Sequence, residues 1–198
     1  MADLMRQNPP EEDPAIDPFC LLAAEGAAWT RYAAGDYDAA IARCRHTLEM
    51  YPDYVVIRRL LGAAQLEAGR AREGLATLEG AVAVRRADPV TLSWLAHARA
   101  VTGARAEARA LIDRIRTLET ATYVPHYHLA LAHTGLDDHQ RAFELLGKAL
   151  HDRDPMLTTV AVEPRFAPLR DDARYVELLQ RLNMRCVGKV PGVEQAGR

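Results

Sequence analysis

The residues best able to do chemistry are the seven histidines, three of them gathered in PHYHLALAHTG as His126, His128 and His133. On a helix, His126 and His133 stand seven residues apart on one face, while His128 points elsewhere. His97 is expected on a neighbouring helix, placed to approach His133. A metal centre would need three or four such donors converging about 2 Å from one point, with carboxylates to assist. Nothing in the spacing enforces that convergence, so the expectation is groove and surface histidines, with no metal and no cofactor. The acid pairs Glu11-Glu12, Asp137-Asp138 and Asp171-Asp172 fall at turns or helix starts, where capping and the helix dipole account for them. The sequence carries no G-x-S-x-G, no phosphate-binding loop, no H-E-x-x-H and no Cys/His pair at nucleophile spacing. The expectation is a protein that is not an enzyme.

Composition narrows the class further. Of 198 residues, 49% are hydrophobic and 26% charged, with a formal net charge of −2, as in an ordinary globular chain. That balance argues against nucleic acid as the main partner. Arginine supplies 23 of the 25 basic residues, and alanine is frequent, which fits the coding bias of a GC-rich bacterial genome. Arg58, Arg59, Arg70, Arg72, Arg85, Arg86, Arg105, Arg109, Arg114 and Arg116 make a loosely basic middle whose stems are suited to covering alanine-rich helices. An anion-binding surface is the alternative use of these arginines. No apolar run approaches the ~20 residues needed to span a bilayer, so no membrane partner is expected. The start, MADLMRQNPPEEDPAID, has acids and prolines where a secretory leader would have basic and then apolar residues. Cys20, Cys44 and Cys186 are odd in number and far apart, without C-x-x-C spacing. A cytoplasmic protein with reduced thiols is expected.

The elements that position these residues repeat. Gly35, Gly69 and Gly103 follow one another at 34 residues, and Gly135 comes after 32. Around them stand AAGDYDAAI, EAGRAREGL, VTGARAEAR and HTGLDDHQRAF. Apolar residues at spacings of three and four precede each glycine (Val56, Leu60, Leu61, Ala64) and follow it (Leu75, Leu78, Ala81, Val82). Each unit therefore reads as two helices joined by a short turn, and there are four units. In the first, Gly35 ends one helix in a left-handed conformation and Asp36 caps the next. Ala40 stands at a close helix crossing, and Pro52 stops the second helix.

The period of 34, G-D-Y at the turn, a small residue five positions on and a closing proline resemble the tetratricopeptide repeat. By that likeness the units span about Leu21–Tyr54, Val55–Asp88, Pro89–Ala121 and Thr122–Leu150. The fourth is expected to be two residues short before Gly135, with Ala142 displaced. A second likeness covers the C-terminal quarter, carried by Ala130, Gly135, Ala142, Phe143, Leu146, Ala149, Pro164, Phe166, Leu169, Tyr175, Leu178 and Leu179. These resemble the terminal segment of repeat arrays in bacterial signalling and regulatory proteins, where a kinase, cyclase or DNA-binding domain precedes the array.

The resemblance implies an all-α, right-handed superhelix of about four helix pairs at 18–150. A capping segment is expected at 151–184, between a loose acidic, proline-rich arm at 1–17 and a flexible tail at 185–198. In the cap, Asp171 or Asp172 would open a helix running to about Leu182, and Phe166 and Leu169 would lead the chain across the edge of the array. The first helix of each pair would line a concave groove for a protein or peptide partner. Family registration puts Leu22, Glu25, Trp29, Tyr32, Val56, Arg59, Ala63, Leu66, Ser93, His97, Leu129 and His133 on that face. Trp29 and Tyr32 are the expected anchors, unless Trp29 packs on Phe19; Trp94 is expected in the core. Positions that form a basic clamp for chaperone tails in this family are here Glu25, Trp29, Leu60, Val90 and Trp94, none of them basic or Asn, so that partner is not expected. The function expected is a non-enzymatic interaction scaffold or adaptor, used in a bacterial signalling or regulatory system. One alternative is a small-molecule-sensing module with a separate effector chain, using His97, Arg59 and His133 as polar contacts. Another is self-assembly into a homodimer.

Overall fold

The computed structural model describes residues 18–119 and 122–184, with side chains from Leu21 onward. The arm expected at 1–17, the tail expected at 185–198 and the Phe19 side chain lie outside the described residues. Among the described residues there are helices and turns and no strand. Four consecutive hairpins are built from α1 (Pro18–Ala33) and α2 (Tyr37–Met50), α3 (Val55–Glu67) and α4 (Ala71–Val84), α5 (Pro89–Val101) and α6 (Arg105–Leu118), α7 (His126–Gly135) and α8 (His139–His151). Two 3₁₀ turns, Pro155–Thr159 and Pro164–Leu169, lead to α9 (Ala173–Arg181). Each hairpin packs on itself, α2 packs on α3 and α4 on α5, so the pairs stack in series as a solenoid. The odd-numbered helices also touch in series, α1 with α3, α3 with α5 and α5 with α7, forming one layer.

The inter-helix turns show why the period is 34. Gly35, Gly69 and Gly103 have φ of 80°, 77° and 93°, a region that costs an L side chain sterically but not glycine. The Asp36 carboxylate accepts from the Ala39 amide at 3.3 Å, as expected of the cap. The fourth unit corrects the sequence reading. Its left-handed residue is Asp137, with φ of 58°, which stands 34 residues after Gly103. Aspartate tolerates this conformation better than most side chains, and its carboxylate accepts from Arg105 Nη1 at 2.8 Å. The fourth unit is therefore not short, and Ala142 is not displaced. It stands five residues after Asp137, as Ala40, Gly74 and Ala108 stand after their glycines, and all four are buried. The register runs on into the C-terminal segment, where Asp172, 34 residues after the α8 cap Asp138, caps α9.

Gly135 has a packing role instead. A Cβ there would meet His97 Nδ1 at 2.8 Å, so the glycine lets α7 lie close on α5. Gly62 and Gly74 do the same for α3 and α4: a Cβ on Gly74 would lie 2.8 Å from the Gly62 carbonyl and 2.7 Å from Leu66 Cγ. Much of the basic middle stitches neighbouring pairs together. Arg70 pairs with Asp38 at 2.6 Å, Arg59 with Asp88 at 3.0 Å and Arg105 with Asp137.

The C-terminal segment does more than cover an edge. In α9, Tyr175, Leu178 and Leu179 are buried in the core of the fourth hairpin, and Arg174 stacks on Phe143 of α8 at 4.2 Å. From the end of the first 3₁₀ turn to the start of α9, however, the chain folds inward over the odd-helix layer. Phe166 and Leu169 are fully buried there, and not carried across the edge as the sequence suggests. Tyr32 of the first hairpin donates to Glu163, 131 residues away.

Candidate functional site

The odd-helix layer presents Tyr32 from α1, Trp94 and His97 from α5, and Tyr127 and His128 from α7. Their 34-residue offsets put Trp94 beside His128 and His97 beside Leu131. Trp94 Nε1–H donates to His128 Nδ1 at 3.2 Å, which places the remaining ring proton of neutral His128 on Nε2. His97 Nδ1 lies 2.9 Å from the Leu131 carbonyl and donates to it. Burial, with Arg165 next, pushes the His97 pKa down to about 4, and burial with Arg165 and Arg59 drives His128 well below its ordinary value. Both rings are therefore neutral near pH 7. Burial and then Glu163 raise Tyr32 well above its ordinary value, so it remains a hydroxyl donor.

Across this layer lies a strap, residues 161–172. Arg165 gives Nε and Nη2 to the two carboxylate oxygens of Glu163 at 2.8 and 2.9 Å, a bidentate pair with side-chain exposures of 2% and 0%. The same carboxylate accepts from the Arg165 amide at 3.2 Å and from the Tyr32 hydroxyl at 3.0 Å. The Arg165 guanidinium lies 3.7 Å from the Trp94 ring centroid, a cation–π contact made almost without water. Phe166 meets Tyr127 edge to face at 5.3 Å. Burial works against the Glu163 carboxylate, but Arg165 and the hydrogen bonds outweigh it and hold the acid below its ordinary value. Burial likewise works against the Arg165 cation, and Glu163 overcomes it.

The twelve groove residues expected from the sequence divide between several environments. Tyr32 and His97 are buried beside the strap, and Ser93 is buried with its hydroxyl donating to the Pro89 carbonyl at 2.8 Å. Trp29 is half-buried, with its ring centroid 5.4 Å from that of Tyr32. Glu25 accepts from Tyr54 at 2.9 Å, Val56 is half-buried, and Leu22 is 62% exposed. Arg59 turns to Asp88 and Thr91 at 3.0 and 3.3 Å, with its guanidinium 5.9 Å from the Trp94 centroid. Ala63 is in the core, and Leu66 lies against Gly74 in the α3–α4 interface. Leu129 and His133 line a crevice of about 230 Å³ with Arg116, Glu119, His126, Arg141 and Lys148. There His126 pairs with Asp152 at 2.8 Å and His133 with Asp138 at 3.0 Å. His97, Arg59 and His133 thus each face a different partner. Among the described residues, no three His, Cys, Asp or Glu side chains are gathered as metal ligands.

Sequence reasoning missed Glu163, Arg165 and Tyr127, set His128 aside as pointing away from His126 and His133, and placed Trp94 in the core without its covering arginine. One signal was available: in AVEPRFAPL, two opposite charges stand two residues apart inside an otherwise apolar stretch. Such charges are buried only as a pair.

Residues 31–90 match the family model for the tetratricopeptide repeat. That stretch covers most of the first two hairpins, which match the repeat, and the two hairpins that follow stack on them in the same 34-residue register. Among solved structures, the crystal structure of MamA protein is similar at 19% identity, over 82% of this chain and 91% of that one, with a TM-score of 0.44. A search of curated proteins gives no match. Among the described residues, no helix is long and apolar enough to cross a membrane.

Proposed function

We propose that the protein is a non-catalytic interaction scaffold whose odd-helix face takes an irregular protein segment. One observation carries this reading. That face already holds such a segment, residues 163–169 of its own chain and mostly a 3₁₀ turn, through side-chain anchors in an aromatic cradle. A few such anchors are how a groove takes a short peptide. The α1–α3 end of the face, with Leu22, Glu25, Trp29 and Val56, retains solvent access and is the point of first contact for a partner. Use within a bacterial signalling or regulatory system, with an effector on a separate chain, is the finer form of the proposal and rests on the C-terminal resemblance alone.

A photo-reactive residue at Leu22, compared with one at Arg109 on α6, tests the face. Both sites are exposed. Partners cross-linked in cells from position 22 and not from 109 are expected. Equal capture from both, or capture from 109 alone, would remove the face from consideration.

A further inference from the structure

We propose that the strap is a removable occupant, and that the face beneath it recognises a partner segment presenting a carboxylate, then an arginine two residues later, then an aromatic side chain. The inference rests on the scaffold reading above and names the chemistry of the partner.

The first support is electrostatic. Glu163 and Arg165 belong to the strap itself and satisfy each other, so lifting the strap removes both charges together. Facing the strap on α1, α5 and α7 are the Tyr32 hydroxyl, the Trp94 face, the Tyr127 ring and the His97 and His128 rings, none of them charged while the strap is down. The charged groups nearest that lining are Arg59, already paired with Asp88, and Glu67, whose carboxyl pKa is raised by burial. No fully buried charge is stranded on either side, which is the usual penalty for opening a salt-bridged core, although the half-buried Glu67 loses Arg165 as a neighbour. A π face in a desolvated pocket is a guanidinium site, and Tyr32 is a donor for an acid beside it.

The second support is topological. The strap is a loop closed at its base, where the Tyr175 hydroxyl donates to the Val160 carbonyl at 2.7 Å. Val160 on one side and Tyr175, Leu178 and Leu179 on the other are buried in the fourth hairpin. Arg174 ties α9 to Gln140 of α8 at 2.7 Å. Residues 161–172 can therefore swing away while both stems stay docked, at the cost of exposing Phe166 and Leu169, which share the same core.

The test uses a fluorescein-labelled peptide of residues 160–171 and the full chain, as wild type and as Glu163→Gln/Arg165→Met. The double variant weakens the strap without leaving a lone charge. The peptide is expected to bind the variant at least tenfold more tightly than the wild type. That gain should disappear with a peptide carrying Arg165→Ala, or when Trp94→Leu is added to the protein. Equal weak binding to both proteins, or binding indifferent to Trp94, overturns the proposal. If the double variant does not fold, hydrogen exchange on the wild type decides instead. Amides of 163–170 exchanging well before those of α7 support a removable strap, and simultaneous exchange rejects it. Wild-type dimers that vanish with Arg165→Met would assign the face to the strap of a second copy and overturn a foreign partner. Failure here with retained cross-linking from position 22 leaves the scaffold reading standing with a different partner chemistry.

Discussion

At the residue scale the molecule is dominated by a few buried polar groups that share one sensitivity, to acid. His97 binds a proton in the folded state only near pH 4, against 6.5 for a free imidazole. Below about pH 6.5 the unfolded chain takes up that proton and the folded chain does not, so stability is intact above 6.5 and falls as pH drops toward 4. The difference amounts to about 3 kcal/mol from this one ring. His128, lowered in the same direction, adds to the loss, and Glu163, held below its usual 4.5, extends it into stronger acid. Urea melts from pH 7.5 to 4.5 are expected to show a steep decline beginning near 6.5, flattened by His97→Gln. The buried ion pair gives a second expectation. Arg165→Ala leaves Glu163 buried and alone and should cost about 3–5 kcal/mol, whereas Glu163→Gln/Arg165→Met should cost much less. Denaturant midpoints of the two variants check this ordering.

At the element scale, glycines of two kinds are distinguished by what a methyl group would meet. Gly35 has open space around its Cβ position and only its positive φ to lose, so Gly35→Ala is expected to cost about 1 kcal/mol. Gly74→Ala adds a better helix former but drives a methyl into the Gly62 carbonyl and Leu66. Its expected cost is about 1–3 kcal/mol, with a spread of α3 from α4. Thermal melts ranking Gly74→Ala as the milder change would contradict the close crossing described here. The second hairpin has at its cap position Arg70, whose side chain makes no capping hydrogen bond, unlike Asp36 and Asp138. It relies on helix contact where the first and fourth also have a carboxylate cap.

At the scale of the whole molecule, the strap converts an open stack into a structure whose ends communicate. Hairpin arrays hold neighbour to neighbour, so their stability is nearly a sum of local terms. Here Glu163 reaches Tyr32 across the intervening hairpins, adding a contact of very long sequence separation. A chain ending at His151 should therefore lose more than its last helix. Trp94 emission should move to the red, and a hydrophobic dye should bind the uncovered Tyr127, Leu131 and Leu146. An unchanged emission maximum would mean that Trp94 is covered by something other than residues 163–166.

The sequence alone determined the hairpins, because each needs only a local signal: apolar spacing of three and four, a left-handed turn residue and a cap. Even the misread fourth unit was legible, since the 34-residue register falls on Asp137; the eye goes to Gly135 because glycine is the commoner turn residue, although here it serves close packing. The face proposed to take a partner was only half legible. Family registration placed Tyr32, Ser93 and His97 on one side of their helices, since that follows from periodicity, and all three are buried. It could not find that Arg165 lies on Trp94 or that Glu163 meets Tyr32, because no local rule relates residues 71 and 131 positions apart. Only the tertiary structure decides that, by bringing the pair of charges to the one place where an aromatic face and a hydroxyl replace the water they lose.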